Sequence, residues 1–452
     1  MLKTRHENKI DMLHGSLLDK ILLFSIPLAL SMMLQQLFNS ADVAVVGRFD
    51  SPQAMAAVGS NGPAINLFVN LFVGLSIGAN VIVANFIGTG EKNRIHDAVH
   101  TAISIALISG ISLLFLGIIL ARPLLTVMNT PHDIMEQAVL YFRIYFLGMP
   151  FIMTYNYASA VLRSMGDSKR PLLCLTVGGI MNVILNLILV IVFRLGVSGV
   201  AIATVVSNII SASMAIYFLA REDEPFTFRF RDLLLRKDYV IQMLRIGLPA
   251  GLQGMLFSIS NVTIQTATNG LGSYASAGSA AALNFDFFTY YVVAAFTQAV
   301  VTFTSQNFGA KNYSRCLSVY RLTMSSGLFF TGLVSLICYV FRFEIMGFFT
   351  DNPEVMKFAD VRMVYAVAFL WLCNLYEISG GALRGMGHST LPAVIILLGC
   401  CVLRIIWVYT VFAFYGTFEA LILVYPISWS VTGIVTLFVY YRMRGKILHL
   451  GS

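Results

Sequence analysis

The chain has 452 residues, 58% of them hydrophobic and only 12% charged. Soluble domains carry about 25% charged residues, so the composition excludes a soluble protein and points to the lipid bilayer. The formal net charge of +8 would suggest a nucleic-acid partner in a soluble chain, but here the basic residues follow membrane topology and no nucleic acid is implied.

The first twenty residues are polar and basic, with Lys3, Arg5, Lys9 and Lys20. They lead into an apolar run much longer than a signal-peptide core, with no small-residue cleavage site, so no cleaved signal is expected. That run, Ser16–Phe49, would outreach a hydrocarbon core of about 30 Å at about 1.5 Å per residue. Pro27 removes one backbone hydrogen bond and invites a bend. Ser31, Gln35, Asn39 and Asp42 follow at spacings of four, four and three, which stacks them on one helical face. A carboxylate is not tolerated against lipid, so the stripe should face a bundle interior or a wet cavity. The alternative for Asp42 is a structural acid paired with Arg48.

Further spans are predicted at 53–80, 97–121, 134–160, 171–193 and 197–220, after a first at 17–47. A polar stretch at 221–239, REDEPFTFRFRDLLLRKDY, is basic and amphipathic and reads as a linker lying along the membrane surface. Six more spans follow at 240–269, 277–306, 316–341, 355–381, 392–414 and 418–441. The expected architecture is an all-α membrane protein of twelve transmembrane helices in two pseudo-symmetric six-helix lobes, 1–220 and 240–452.

An even count puts both termini on one side. That side holds most of the 30 Lys and Arg residues, among them Lys92, Arg94, Arg163, Lys169, Arg170, Lys311, Arg315, Arg384, Arg442 and Arg444. The opposite side holds Arg48, Arg122, Arg194, Arg342, Lys357 and Arg362, while Arg143 and Arg404 lie within spans. By the positive-inside rule both termini are cytoplasmic.

The chain also repeats itself. VLRSMGDSKRP at 161–171 recurs as ALRGMGHSTLP at 382–392, an offset of 221 that also pairs Gly88 with Gly309 and Arg94 with Arg315. Pro27 pairs with Pro249 at 222. Repeats of six spans are a recurring layout of secondary transporters, whose sites lie between the repeats. Shifted by 222, Asp42 lands on Ile264, so the second half lacks the matching acid and keeps Asn261, Gln265 and Thr268 on one uncharged face. Ion coupling is therefore expected in the first half alone.

Other polar residues inside the spans have two readings each. Asn182 and Asn186, four apart, could offer carbonyl oxygens to a cation or a protonated acid, or could bond neighbouring helices. Thr204, Tyr155 and Asn156 are weaker candidates in the same lobe. Glu377 matches Asn156 across the repeat and could bind a cationic substrate or snorkel at the interface. Asp286, within LNFDFFTYY, suits a cationic aromatic compound. A pair of Asp286 or Glu377 with Arg404 is the structural alternative, and Arg143 most simply pairs or snorkels. Arg163 and Arg384 read as interface anchors. The six cysteines show no ligand spacing and read as packing residues. No Walker A, GxSxG, HExxH or cofactor fingerprint occurs, so the chain is not read as an enzyme and no metal or cofactor is expected. Pumping would draw on an ion gradient.

Taken together, NSADVAVVG, AMAAVGSNGP, the NFIGTGEKNR loop with its partner QNFGAKNYSR, and the twofold LRxMGxSxxP resemble the multidrug and toxic compound extrusion (MATE) family over about residues 16–445. The resemblance implies twelve helices in two lobes and export of cationic or amphipathic compounds by proton or sodium antiport, with alternating access. It implies that Asp42 is the family's first-helix acid, Pro27 its bend point and Asn182 its fifth-helix asparagine. Asn186 stands where many members have aspartate, which leaves the coupling ion open between proton and sodium. Phe257 lies in the segment where some members carry an acid.

The resulting expectation is a monomeric inner-membrane antiporter. Asp42, with Asn39, Asn182 and Asn186, would exchange the coupling ion. Asp286, Glu377, Gln35, Tyr155 and Asn156 would meet substrate in a cavity between the lobes. The alternative is a flippase for a lipid-linked precursor of the same superfamily, which would need basic groups such as Arg143 and Arg404 to face that cavity.

Overall fold

The computed structural model describes residues 9–447 apart from 129, 348 and 349; Lys3 and Arg5 lie outside the described residues. The chain is 87% helix, with no strand among the described residues. Eleven helices are long and apolar enough to cross a membrane, and one bent pair passes as a twelfth. In chain order the spans are α1 (Leu18–Phe49), α2 (Pro52–Thr89), α3 (Lys92–Val127), α4 (Met135–Leu147 with Met149–Ser164), α5 (Lys169–Val192) and α6 (Gly196–Ala220). They continue as α7 (Lys237–Gly270), α8 (Ser273–Gly309), α9 (Tyr313–Val340), α10 (Pro353–Gly385), α11 (Thr390–Tyr415) and α12 (Phe418–Ile447).

Local chemistry sets many of the ends. Ser51 caps α2 by accepting from the Ala54 N–H at 3.1 Å, and Gly90, at φ +74°, closes the same helix in the left-handed region that a side chain resists. Asn352 and Thr417 cap α10 and α12 in the same way. The 46° bend of α4 falls at Gly148–Pro150, where proline removes a ladder hydrogen bond. At the corresponding place of the second repeat, Val367–Leu372 of α10 tightens into 3₁₀ geometry. The repeat thus preserves a helix irregularity as well as a loop motif. Its two loop glycines, Gly166 and Gly387, have φ of +86° and +87°.

The chain divides into two compact units, one of Met1–Asp11 with Ile26–Gly251 and the other of Met12–Ser25 with Leu252–Ser452. The division therefore runs through α1 and α7. In the first unit, α2 and α7 cross through glycines spaced by four on both sides, Gly74 with Gly78 and Gly247 with Gly251. A Cβ built on Gly78 would come within 2.0 Å of the Met243 carbonyl oxygen, and one on Gly74 within 2.2 Å of the Gly251 Cα. Small residues let backbones approach this closely, and lipid supplies no hydrophobic drive to replace the contact.

The linker also packs in the first unit. Phe228 is buried and stacks on His100 of α3 at 5.3 Å. The His100 Nε2 accepts from the Arg229 N–H at 3.1 Å while its Nδ1 faces the His96 carbonyl at 2.9 Å. Arg236 pairs with Asp97 at 2.6 Å, and Glu222 is held by Lys9 and Arg170. In the second unit the segment before α1 is fixed by Arg315, which donates to the carbonyls of Met12, His14 and Gly15. All six cysteines are buried free thiols.

Replacing Gly78 by alanine should force α2 and α7 apart at a cost of roughly 1–3 kcal/mol. Thermal unfolding of the purified protein should show a lower midpoint for Gly78→Ala, while Gly332→Ala, whose Cβ meets nothing within 4 Å, should show no loss.

Candidate functional site

Asp42 sits near the end of α1 and is 6% exposed. Its neighbours come from α5 and α6. The Asn186 amide donates to Asp42 Oδ1 at 2.5 Å and also reaches Asn182 Oδ1 at 3.2 Å. The Thr204 hydroxyl lies 3.2 Å from Asp42 Oδ2 and 3.0 Å from the Val200 carbonyl, so its single proton serves one acceptor at a time. Asn182 closes the ring by donating to Thr204 at 3.4 Å. The two asparagines meet the acid together because a spacing of four on α5 puts both on one face.

What the acid lacks is a cation. Among the described residues Asp42 takes part in no ion pair, and Arg48, the partner expected of a structural acid, is exposed. The carboxylate is held by neutral donors only. One polar atom beside it is left over: Asn186 Oδ1 is buried and has no hydrogen-bond partner. A flip of that amide would turn this oxygen to the acid, giving an oxygen-rich pocket of carboxylate, amide and hydroxyl atoms that suits sodium, or a proton carried on Asp42 itself.

A cleft of about 410 Å³ opens on this cluster within the first unit. Asn39 and Gln36 of α1, Gly59, Gly62 and Asn66 of α2, and Tyr141 and Tyr145 of α4 line it with Asp42. Nothing lies within 4 Å of a Cβ placed on Gly59 or Gly62, so the glycines leave room in the cleft itself. Of the residues singled out from sequence, Asp42, Asn182, Asn186 and Thr204 come together and Asn39 faces the same cleft. Tyr155 instead donates to the Pro171 carbonyl at 3.0 Å, Asn156 to its own helix at Ile152, and Gln35 is exposed on α1. Helix α1 runs unbroken through Pro27, whose carbonyl accepts from Ser31 at 2.8 Å. Sequence reasoning missed Tyr141, Tyr145 and Asn66; the available signal was the four-residue spacing of the two tyrosines on one span.

The acids of the second unit have a different setting. Asp286 of α8 is gripped by Arg362 of α10, with Nε at 2.7 Å and the terminal nitrogen at 2.5 Å on one carboxylate oxygen, while a third nitrogen reaches Ser279 at 2.9 Å. The pairing expected with Arg404 is thus made by Arg362, a residue assigned from sequence to the outer loops but buried inside α10. Glu377 is buried, not at an interface, and accepts from the Tyr290 hydroxyl at 3.2 Å. Arg384 is likewise buried and donates to Gln253, where an interface anchor was expected. Arg143 is exposed on α4.

Asn186→Ala should strip one oxygen of Asp42 of its donor, an uncompensated loss of about 1–3 kcal/mol. Melting of the purified variant should fall accordingly, and Asp42→Asn combined with Asn186→Ala should cost less than the two single changes summed, because both act on one network.

The comparisons with known proteins agree with this layout. The family model MatE matches residues 27–188 and again 249–410, two copies whose starts lie at Pro27 and Pro249. The chain is 27% identical over 380 residues to the probable multidrug resistance protein YoeA of Bacillus subtilis, covering 82% of each chain. It is 24% identical over 397 residues to the probable multidrug resistance protein YpnP of the same organism, covering 87% of this chain and 88% of that one. Its fold superposes with a TM-score of 0.90 on the outward-facing conformation of a multidrug resistance MATE family transporter of the MOP superfamily, at 22% identity over 99% of this chain and 100% of that one. A family model that matches twice, in register with the internal repeat and over most of a twelve-span chain, shows that this multi-pass membrane protein belongs to the MatE family of transporters.

Proposed function

We propose that the chain is an inner-membrane efflux antiporter. It exports amphipathic or cationic small molecules in exchange for protons or sodium ions, working as a monomer with both termini in the cytoplasm. The observation that carries the reading is Asp42: a buried carboxylate with no cationic partner among the described residues, open to a cleft and ringed by neutral groups. Taking a carboxylate out of water penalises its charged form, so a proton or a sodium ion binds there readily and leaves when the site is wetted. Such a group has two states that an ion gradient can bias. The relatives named for multidrug resistance support the export direction, and the basic loops support the orientation.

In this mechanism Asn186 and Thr204 follow the charge of the acid. With Asp42 ionised both donate to it; with Asp42 neutralised their donors are released to other acceptors and the contacts between α1, α5 and α6 loosen. Pro27 gives α1 a place to bend in response. Alternating access requires two such arrangements of comparable free energy, each favoured by one ligand. The flippase alternative needs converging basic groups, and Arg143 is exposed in the first unit while Arg404 is buried in the second.

Proteoliposomes carrying the protein, under a proton gradient or a sodium gradient imposed separately, should move a fluorescent organic cation under at least one of them. Asp42→Asn should reduce that flux to the level of empty liposomes. Wild-type flux from the variant, at equal protein content, would overturn the role given to Asp42.

A further inference from the structure

Away from Asp42, the first unit brings together one group of metal-ligating side chains among the described residues: His96 and His100 of α3 and Asp232 of the linker. One ligand atom of each lies within 4.8 Å of those of the other two. The histidines are four apart, so they share a face of α3, and their ring centroids are 4.2 Å apart. Asp232 ends the 3₁₀ turn Phe230–Asp232, which follows Phe228, the residue stacked on His100. Spacing along the chain does not show the group, because its third member comes from the linker.

Both rings turn the same edge to the linker. His100 Nδ1 faces the His96 carbonyl at 2.9 Å and must donate to it, which leaves Nε2 with the lone pair; that lone pair accepts the Arg229 N–H at 3.1 Å. His96 Nδ1 faces Asp97 Oδ1 at 3.6 Å and its Nε2 faces Asp232 Oδ2 at 3.8 Å, both too long for a hydrogen bond. Asp97 is itself held by Arg236 at 2.6 Å. A histidine that ligates a metal through one nitrogen turns the other to a carbonyl or a carboxylate, and both rings are set that way. The Asp232 carboxylate has no hydrogen bond and no arginine or lysine partner among the described residues. The side chains of His96 and Asp232 are 27% and 37% exposed, so an ion can reach them and keep a water.

We propose that His96, His100 and Asp232 bind a divalent transition-metal ion of the zinc class, which clamps the linker to α3 ahead of α7. Two imidazole nitrogens and one carboxylate suit zinc and its neighbours, whereas magnesium and calcium take oxygen ligands. At His100 the ion takes the lone pair that now accepts the Arg229 N–H. The clamp is independent of the export reading, and its test reads binding and not transport.

The full chain, free of any histidine tag and stripped with a chelator, is titrated with zinc chloride in phosphatidylcholine nanodiscs. Calorimetry should give one ion per chain at a Kd of about 1 μM or tighter, and a large excess of magnesium should not displace it. Cobalt in place of zinc should show the visible bands of a nitrogen-bound ion. His96→Gln and Asp232→Asn, both at partly exposed positions, should each weaken binding by at least about tenfold. His132→Gln, at an exposed histidine beyond the other end of α3, should leave it unchanged. Zinc should also slow amide hydrogen exchange at 230–236 in the wild type and not in Asp232→Asn. A wild type that takes up no stoichiometric zinc, a result that needs no variant to fold, overturns the proposal. So does zinc uptake that survives in both His96→Gln and Asp232→Asn, or a linker whose exchange zinc does not alter.

Discussion

An ionisable side chain removed from water must be neutralised, solvated by fixed dipoles, or left ready for a ligand, and the placement of such groups organises this protein. The first unit neutralises its buried acids Asp167 and Glu222 with Arg170 and Lys9, near the ends of spans. It treats Asp42 differently, surrounding it with two asparagines and a threonine drawn from two other helices. Neutral donors stabilise the charged form only modestly, by about 0.5–1.5 kcal/mol for each hydrogen bond. An arginine in the same position would fix the charge permanently. The absence of a fixed countercharge among the described residues is what would let an external ion compete for the site in the proposed mechanism.

Packing makes that arrangement possible. Asp42 can be held by α5 and α6 only if α1 stays registered against them, and the first unit is drawn together elsewhere by contacts with little freedom, such as the glycine crossing of α2 and α7. On the far side of the acid the cleft is bounded by small residues of α2 and tyrosines of α4, so one oxygen-rich face is supported while another is left open. The buried Asn186 Oδ1 is left without a hydrogen-bond partner. Had Asn186 been aspartate, as the family resemblance implies for many members, two carboxylates would share this space and one would resist ionisation.

Much of this was legible in the sequence. The twelve spans, the linker and the repeat follow from hydropathy and from an offset that aligns loop motifs, because length and apolarity are dictated by the bilayer and not by tertiary detail. The clustering of Asp42, Asn182 and Asn186 was legible because helical spacing of polar residues inside an apolar span has few explanations. Arg362 was not. Basic residues near a predicted span end are usually interfacial, and nothing local distinguishes one that turns inward to an acid on another helix. The backbone hydrogen bonds of Tyr155 and Asn156 were not legible either: polar side chains in a membrane helix commonly satisfy themselves on nearby backbone, and spacing alone does not reveal it.

The repeat also shows how one architecture can carry opposite chemistry. Corresponding helices bury an acid in the first half and a base in the second, yet neither substitution is a simple reversal. Ile264 replaces Asp42, while the second-half charge enters on α11 one residue after the position matching Asn182. The acid is supported by hydrogen bonds and the base, Arg404, by the rings of Tyr425, Phe257 and Trp429, which is what their chemistry requires: a carboxylate accepts and is oriented by donors, whereas a guanidinium only donates and is oriented best by faces that ask for none of its protons. Two lobes built on one helix plan can therefore diverge in the charge they bury through a few residues without altering the packing that holds either lobe together.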